Sequence, residues 1–265
     1  MFVRENIPSS DGGVSEVIGF LIIFTIIILG ISLVTLYGYP VLLQQQSSAN
    51  ERVMEKNMIV LQNDIKSLTY SMVPNSETSM SIGGGTLFVY NGTSSASPAT
   101  FTVECDNGNT PVLPNSTGKI QYESVDAQTN IALENGAVVT RMTNINGSTM
   151  LAEPRWFYDA PTNTAAIYLI HFNTTSVMEK TGISTVAMER GIFYHLPPFQ
   201  IPQGTTCTVS YSPDPTDDYS SAWNNYFATT FPAFSSPTTG KYTLLDNTRP
   251  GQIVIYQDDI DIKSV

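Results

Sequence analysis

The sequence predicts an α+β protein in which one long apolar helix of transmembrane length precedes a β-rich, antiparallel head that folds as a sheet or sandwich. The segment Val17–Leu43 contains no charged residue and consists mostly of Ile, Leu, Val and Phe. Over residues 79–265, short alternating runs are separated by Gly, Pro, Asn, Asp and Ser, which is the pattern of strands joined by turns. Charged residues make up only 13% of the chain, so the surface of the head is polar but weakly charged.

The first predicted element is the apolar helix, which spans a membrane at residues 17–39. About 20 helical residues, rising about 1.5 Å each, cross the roughly 30 Å hydrocarbon core of a bilayer. The segment is longer than the apolar part of a secretory signal, and Tyr37 and Tyr39 stand where an interfacial aromatic belt is expected. Ser15 is the expected N-cap, and Glu16 lies in a first turn that favours negative charge.

The helix is predicted to continue as an amphipathic segment and to end near Pro74, so that it occupies residues 14–73. Its apolar positions step by three and four residues, which is helical spacing. These positions are Met54, Met58, Leu61, Ile65, Leu68 and Met72. Pro40 is expected to bend the helix, because its ring crowds the preceding turn. The apolar stripe packs either on the head's own sheet or on a neighbouring subunit's helix, and we expect the first because the head needs cover.

Short alternating runs predict strands throughout the head. They are Thr86–Tyr90, Ala99–Val103, Lys119–Glu123, Asn130–Leu133, Ala137–Arg141, Ala165–Phe172, Thr206–Tyr211, Lys241–Leu245 and Gln252–Tyr256. Asn135-Gly136 predicts a tight hairpin, since both residues tolerate positive φ, and Gly83–Gly85 is interpreted as a flexible turn before the first strand. The Pro- and aromatic-rich segment 195–240 is interpreted as an inserted loop or small subdomain. Its rings either close the core, which we favour, or form a ligand surface.

The two cysteines, Cys105 and Cys207, each lie inside a predicted strand. In an oxidising compartment they form a natural pair, whose loop of about 100 residues contributes about 4 to 5 kcal/mol on the chain-entropy model. We expect this disulfide, with two unrelated buried thiols as the alternative, since bridging requires close Cα atoms.

N-glycosylation is expected in the head, because Asn-x-Ser/Thr sequons occur only after the apolar helix and mostly in predicted turns. The sequons begin at Asn91, Asn115, Asn146 and Asn173. Their position agrees with a head outside the cell, where a glycan protects against proteolysis.

The head is unsuited to nucleic acid and shows no catalytic motif. The net charge of −11 repels phosphate backbones, so no nucleic-acid partner is expected. His171 and His195 are interpreted as structural residues, because one follows a strand and the other borders a proline turn. The acidic groups at 214–218 and 258–261 are interpreted as solvated loops and not as calcium sites, because their spacing does not match an EF-hand. We therefore expect no enzyme, no catalytic residues, no cofactor and no metal.

The stretch from Asp11 to Phe20, which reads DGGVSEVIGF, resembles the class III signal peptides of archaeal type IV pilin-like proteins. The resemblance implies that residues 1–13 form a leader, that a prepilin peptidase cuts between Gly13 and Val14, and that Glu16 is the acidic residue near the mature N-terminus. Asp11 and Gly12 depart from the pattern, in which a basic residue is common before the cut.

A longer resemblance covers roughly residues 11–172. Tyr37–Pro40, Ile120–Glu123, Ile131–Val139 and Met150–Phe157 are similar to segments of uncharacterised archaeal membrane-anchored proteins with pilin-like N-termini. The resemblance implies a structural surface protein, located at the cell membrane with an extracellular head or in an extracellular filament. Its expected partners are the membrane and other pilin-like subunits. The alternative is a monomeric membrane-anchored module for binding or adhesion.

Overall fold

The structure, a computed structural model, describes residues 11–71, 73–92, 99–108, 116–231 and 240–265. The chain divides into two compact units, Met1–Ser48 and Ala49–Val265. The predicted α+β class is confirmed, because one long apolar helical segment precedes a β-rich and almost wholly antiparallel domain.

The N-terminal part of the chain is helical through two α-helices and a π turn. Helix α1 covers Asp11–Leu33, the π turn covers Val34–Gly38, and helix α2 covers Tyr39–Tyr70. The backbone N–H of Tyr39 donates to the carbonyl of Val34, five residues earlier. Because Pro40 lacks an N–H and its ring crowds the carbonyl four residues before it, a widened turn accommodates the proline. The structure therefore shows the distortion at Pro40 as a π turn.

Both predicted ends of the helix need correction. Helix α1 begins at Asp11, so Ser15 lies inside the helix and is not its N-cap. Helix α2 ends at Tyr70 instead of near Pro74. The carbonyl of Pro74 accepts a hydrogen bond from the N–H of Arg190 at 3.0 Å. Pro74 is therefore bonded to the sheet and is not part of the helix.

The amphipathic part of α2 packs on the sheet of its own chain, as predicted. Its apolar side chains are fully buried and share one core cluster with residues of the sheet. They are Met54, Met58, Leu61, Ile65 and Leu68. Gln62 anchors the same face, since its Nε2 donates to the carbonyls of Gly136 at 2.6 Å and Glu153 at 3.0 Å. Packing of these residues on a neighbouring helix is therefore excluded, and Met72 lies outside the described residues.

The strands of the head lie between residues 75 and 264. They are β1 (Asn75–Tyr90), β2 (Thr100–Cys105), β3 (Lys119–Ser124), β4 (Thr129–Glu134), β5 (Ala137–Met142), β6 (Ser148–Ala152), β7 (Phe157–Asp159), β8 (Thr164–Asn173), β9 (Met178–His195), β10 (Phe199–Ile201), β11 (Cys207–Ser212), β12 (Lys241–Thr243) and β13 (Gly251–Ser264). Helix α3 (Ser220–Thr230) lies between β11 and β12. The turn at Asn135-Gly136 is confirmed, with φ of 47° and 74°.

The strands form a large and a small sheet. The large sheet has ten strands in the order β6-β5-β4-β3-β1-β9-β13-β8-β7, with β10 also paired to β13, and the small sheet has the order β12-β11-β2. One pair of strands departs from the antiparallel arrangement, since β13 runs parallel to β8. Strand β13 lies between β8 and β9 and is antiparallel to β9. Because β8 and β9 run in opposite directions, a strand inserted between them is parallel to one of the two.

The large sheet is the middle layer of the head. Alternate residues of β4 contact opposite layers, since Ile131 and Leu133 belong to the cluster under α2 and Ala132 belongs to the cluster under the small sheet and α3. Every residue of β4 is buried. Both faces of the large sheet are therefore covered in the middle of the head.

Two segments differ from their predicted structure. Strand β9 was not predicted, because its apolar residues are irregularly spaced, yet it pairs with both β1 and β13. The segment 195–240 contains the end of β9, two further strands and α3, so it is not simply a loop. In α3, Trp223 and Phe227 are buried one helical turn apart, which confirms that the described rings close the core.

Gly83–Gly85 lies inside β1, so its interpretation as a turn before the first strand is wrong. The pairing of β1 with β9 shifts register between Ile82 and Leu87. Gly84 has φ of +68°, and a Cβ on Gly85 would lie 2.2 Å from the carbonyl oxygen of Glu123. These glycines allow an irregular strand to pack closely against its neighbours.

Candidate functional site

The apolar helix is the first feature with functional meaning. Among the described residues, one helix is long and apolar enough to cross a membrane. Every Ile, Leu, Val and Phe side chain between residues 17 and 43 is exposed in the chain. The hydroxyls of Thr25 and Thr35 donate to the carbonyls of Leu21 at 2.7 Å and Ile31 at 2.9 Å. These two hydroxyls are therefore satisfied within the helix, as a lipid environment requires.

The residues of the expected processing site lie in or beside this helix. Gly13, Val14 and Glu16 all fall within α1, and Glu16 is exposed. Nothing in this geometry tests cleavage, so cleavage between Gly13 and Val14 stays a prediction.

The expected disulfide is confirmed. Cys105 and Cys207 are opposite each other in the antiparallel pair β2 and β11, with an S–S distance of 2.01 Å and a Cα–Cα distance of 4.1 Å. The bridge fastens the small sheet and closes a long segment of the head, since its sequence separation is 102 residues. On the chain-entropy model such a loop contributes about 4.7 kcal/mol.

The sequons differ in accessibility. Asn146 is exposed in the turn between β5 and β6, whereas Asn115 lies outside the described residues. The Nδ2 of Asn91 donates to Thr174 O at 2.9 Å and to Asn173 Oδ1 at 3.2 Å, and Asn173 also donates to the carboxylate of Asp261 at 3.1 Å. Glycosylation stays a prediction, and Asn146 is an exposed acceptor in a turn.

An acidic cavity lies in the head between the large sheet and the chain that follows β11. Its volume is about 390 Å³. Its lining includes Tyr90, Lys119, Glu123, Glu134, Asp217 and Tyr219. We refer to this space as the acidic cavity.

The antiparallel pairing of β3 and β4 places the polar residues of this cavity on one face. Lys119 lies opposite Glu134, and Glu123 lies opposite Asn130. Ile120 and Tyr122, which alternate with these residues, point to the other face, where both belong to the core under α2. The alternation of the strand thus separates an apolar face from a polar face that lines the cavity.

Asp217 links this polar face to the turn after β11. Its Oδ2 lies 2.8 Å from Lys119 Nζ and 2.9 Å from Gln121 Nε2, and its Oδ1 accepts from Asn130 Nδ2 at 2.8 Å. Burial by itself raises the pKa of Asp217, but the charge of Lys119 and these hydrogen bonds lower it below its usual value. Asp217 is therefore ionised at neutral pH.

The turn that carries Asp217 is stabilised locally. Asp214 Oδ1 accepts hydrogen bonds from the backbone N–H of Thr216 at 2.9 Å and from its hydroxyl at 2.7 Å. The carbonyl of Asp214 also accepts from the N–H of Asp217 at 3.1 Å. Such side-chain-to-backbone bonds are why Asp favours turns.

Glu134 is the most deeply buried acidic group of the cavity, with 2% of its surface exposed. Its carboxylate accepts from Tyr211 Oη at 3.1 Å and from Trp223 Nε1 at 3.4 Å. Burial raises the pKa of Glu134 to about 7, against the opposing effects of Lys119, Tyr211 and Trp223. Both protonation states are therefore populated near neutral pH.

The interpretation of the acidic groups at 214–218 and 258–261 as solvated loops is wrong for three of their six aspartates. Asp214 and Asp217 are each 7% exposed and face Lys119. Asp258 is 2% exposed in β13 and pairs with Arg190 at 3.0 Å. Their charges are balanced by neighbouring cations instead of by water.

His171 lies beside a carboxylate of the neighbouring strand, outside the acidic cavity. It lies in β8 with its Nδ1 3.4 Å from the carboxylate of the neighbouring Asp259. Of the histidines named by sequence, it is the one whose side chain the structure describes. It does not line the acidic cavity.

Sequence reasoning missed the residues of the acidic cavity. Lys119, Glu123 and Glu134 stand at alternate positions of two strands, which is also the pattern of an ordinary solvent-facing strand. The signal that could have found them is the hairpin turn at Asn135-Gly136, which fixes the register and brings Lys119 opposite Glu134. The covering segment at 211–219 could not be inferred, because it comes from the distant end of the chain.

The fold and these sites define a two-part chain, with an apolar helix of membrane-spanning length and a disulfide-bonded, β-rich domain that contains an acidic cavity. The chain belongs to DUF7289, a family of unknown function, whose profile matches residues 13–243. No curated protein and no solved structure matches the chain.

Proposed function

We propose that this chain is a membrane-anchored surface protein of pilin-like architecture. Its apolar helix lies in the membrane or bundles with sister helices, and its β-rich head lies outside the cell. The observation that carries the proposal is the exposure of every Ile, Leu, Val and Phe side chain between Val17 and Leu43. An apolar surface of this size is not stable in water and needs lipid or other helices around it.

The disulfide supports a location outside the cytoplasm. Cys105 and Cys207 form a bridge between two strands of the head, and such bridges persist in oxidising compartments. The open sequon at Asn146 agrees with the same location.

Two observations support the pilin-like form of the anchor. The helical segment is apolar in its first part, and its amphipathic second part is buried against the head's own sheet. The family match begins at Gly13, the residue that precedes the expected cut. On this proposal, a prepilin peptidase removes residues 1–13 and the mature chain begins at Val14.

Mass spectrometry of the native N-terminus tests the pilin-like part of the proposal. The expected mature chain begins at Val14, and Gly13→Phe blocks trimming because a bulky residue replaces the small residue before the cut. Gly19→Ala is the matched control, since a Cβ there meets nothing within 4 Å, and it leaves trimming unchanged. A mature chain that still begins with the leader contradicts this part and favours a plain anchor.

A second candidate function is a monomeric membrane-anchored binding module. The observation that favours it is the acidic cavity of about 390 Å³ in the head, which lies in the size range of ligand sites. Cross-linking in native membranes separates the two candidates. With Leu29→Cys in the exposed apolar helix, bundled helices give covalent dimers, whereas a monomeric anchor gives none.

A further inference from the structure

The acidic cavity holds an excess of negative charge. Glu123, Glu134, Asp214 and Asp217 line it, and Lys119 is the one cation among the described lining residues. Lys119 Nζ lies 2.8 Å from Asp217 and 3.8 Å from Asp214, so its charge is already shared between two carboxylates. Glu123 and Glu134 have no cation within ion-pair distance in the described part of the chain.

The cavity also contains a buried polar group without a partner. Tyr219 lines it with 1% of its surface exposed, and its hydroxyl has no hydrogen-bond partner in the described chain. Beside the cavity, Gln121 Oε1 is likewise buried and unpaired, while the Nε2 of the same side chain donates to Asp217. Unpaired buried oxygens are costly, and a ligand that donates hydrogen bonds would satisfy them.

The aromatic rings of the cavity do not provide an open stacking platform. The Tyr211 ring packs against Trp223 and Phe101, with centroid distances of 5.7 and 5.2 Å. The Tyr90 ring already stacks on Phe88, at 5.9 Å, and lies 5.3 Å from Lys119 Nζ. A sugar relies on a free aromatic face as well as on hydrogen bonds, so charge is the stronger recognition element here.

A bare metal ion fits the cavity less well than an organic cation. Within the described residues, no group of three or more His, Cys, Asp and Glu side chains is arranged to hold a metal. The volume of about 390 Å³ is also that of a small organic ligand. We propose that the acidic cavity binds an organic cation, a small amine or guanidine, whose positive group lies against Glu134 and Glu123 and donates to Tyr219.

Binding of a cation is coupled to the protonation of Glu134. The groups that face Glu134 are Lys119 from β3, Tyr211 from β11, Trp223 from α3 and Asp214 from the covering turn. A cation favours the ionised carboxylate, so binding releases a proton near neutral pH. Affinity therefore increases as pH rises through the pKa of Glu134, which is about 7.

The test is titration calorimetry on the full chain in detergent micelles. The probes are cadaverine and agmatine as cations, glucose as a neutral polyol, and glutarate as an anion. We expect saturable binding of at least one cation, and no binding of glucose or glutarate. Repeating the titration at pH 7 in buffers of different ionisation enthalpy measures the protons released. We expect binding of the cation to release a fraction of a proton from the protein.

Matched variants connect the binding to this cavity. Glu134→Gln and Glu123→Gln are each expected to lower the affinity by about fivefold or more, because each removes one negative charge from the site. Tyr219→Phe lowers it by a smaller factor without disturbing the fold. Glu104→Gln is the control, since Glu104 is exposed on β2 outside the cavity.

The proposal is overturned if no cation binds to the folded chain, or if both carboxylate variants bind it as tightly as the parent does. Binding of glucose without any cation would also overturn it, and would mark the cavity as a sugar site. The outcome is independent of the N-terminal cut, so failure here leaves the anchor proposal intact.

Discussion

Lys119 and Asp217 form a nearly buried ion pair, with Nζ and Oδ2 2.8 Å apart and side chains 12% and 9% exposed. The residues are 98 positions apart in sequence. The pair therefore joins the middle of the large sheet to the turn that follows β11, and it closes one side of the acidic cavity.

Lys119→Met is expected to lower the free energy of unfolding by about 3 kcal/mol, because it leaves the carboxylates of Asp214 and Asp217 without their shared cation. Chemical denaturation of the full chain in micelles measures the change. Lys241→Met is the matched control, since Lys241 pairs with Glu104 where both side chains are about half exposed, and an exposed pair contributes about 0–1 kcal/mol. Equal effects of the two variants would contradict the structural role of the buried pair.

Glu134 makes the stability of the head depend on pH. Its pKa is about 7 in the folded chain against an ordinary value of 4.5, so the folded state binds the proton more tightly than the unfolded state does. The contribution is fully present below about pH 4.5 and is lost as pH rises through 7, amounting to about 3 kcal/mol in total. Glu134→Gln is expected to remove this decline between pH 5 and 8. An unchanged pH profile in this variant would show that another group is responsible.

Leu61→Ala is expected to destabilise the head by about 2–5 kcal/mol, because Leu61 is fully buried between α2 and the large sheet and its removal leaves a cavity. Val60→Ala is the control on the same helix, since Val60 is 50% exposed and surface substitutions change stability by about 0.5 kcal/mol or less. Denaturation midpoints of the two variants measure the difference in stability between them. Similar midpoints would mean that α2 does not pack on its own sheet.

Tyr219→Phe is expected to raise the free energy of unfolding by about 1 kcal/mol, since it removes a buried hydroxyl that has no partner in the described chain. Tyr211→Phe is the opposite case, because it removes a hydroxyl that donates to Glu134 at 3.1 Å, and it is expected to lower stability by about 1–3 kcal/mol. Thermal unfolding of both variants tests the contrast. A loss of stability in Tyr219→Phe would show that its hydroxyl is satisfied in the free protein.

Local sequence patterns predicted much of the fold. Three patterns indicate directly which residues are apolar, buried or exposed. They are the apolar run after Glu16, the helical stripe from Met54 to Leu68, and the alternation within β3, β4 and β8. The hairpin at Asn135-Gly136 was predictable because its positive φ angles select these residues.

The missed elements depend on distant partners. Strand β9 has irregularly spaced apolar residues, and it pairs with β1 and β13 on either side. Helix α3 was not predicted, because the prolines and aromatic residues around it are typical of a loop. Trp223 and Phe227 nevertheless have helical spacing. The acidic cavity was missed for the same reason, since Asp217 and Glu134 meet only after the small sheet packs on the large one.

Protease treatment of intact cells, followed by mass spectrometry of the membrane fraction, tests the central claim of a membrane-held helix with an external head. The proposal predicts that the protease removes the head and leaves a membrane-bound fragment containing residues 17–43. A chain that is fully protected in intact cells, or that is recovered whole in the soluble fraction, would contradict it.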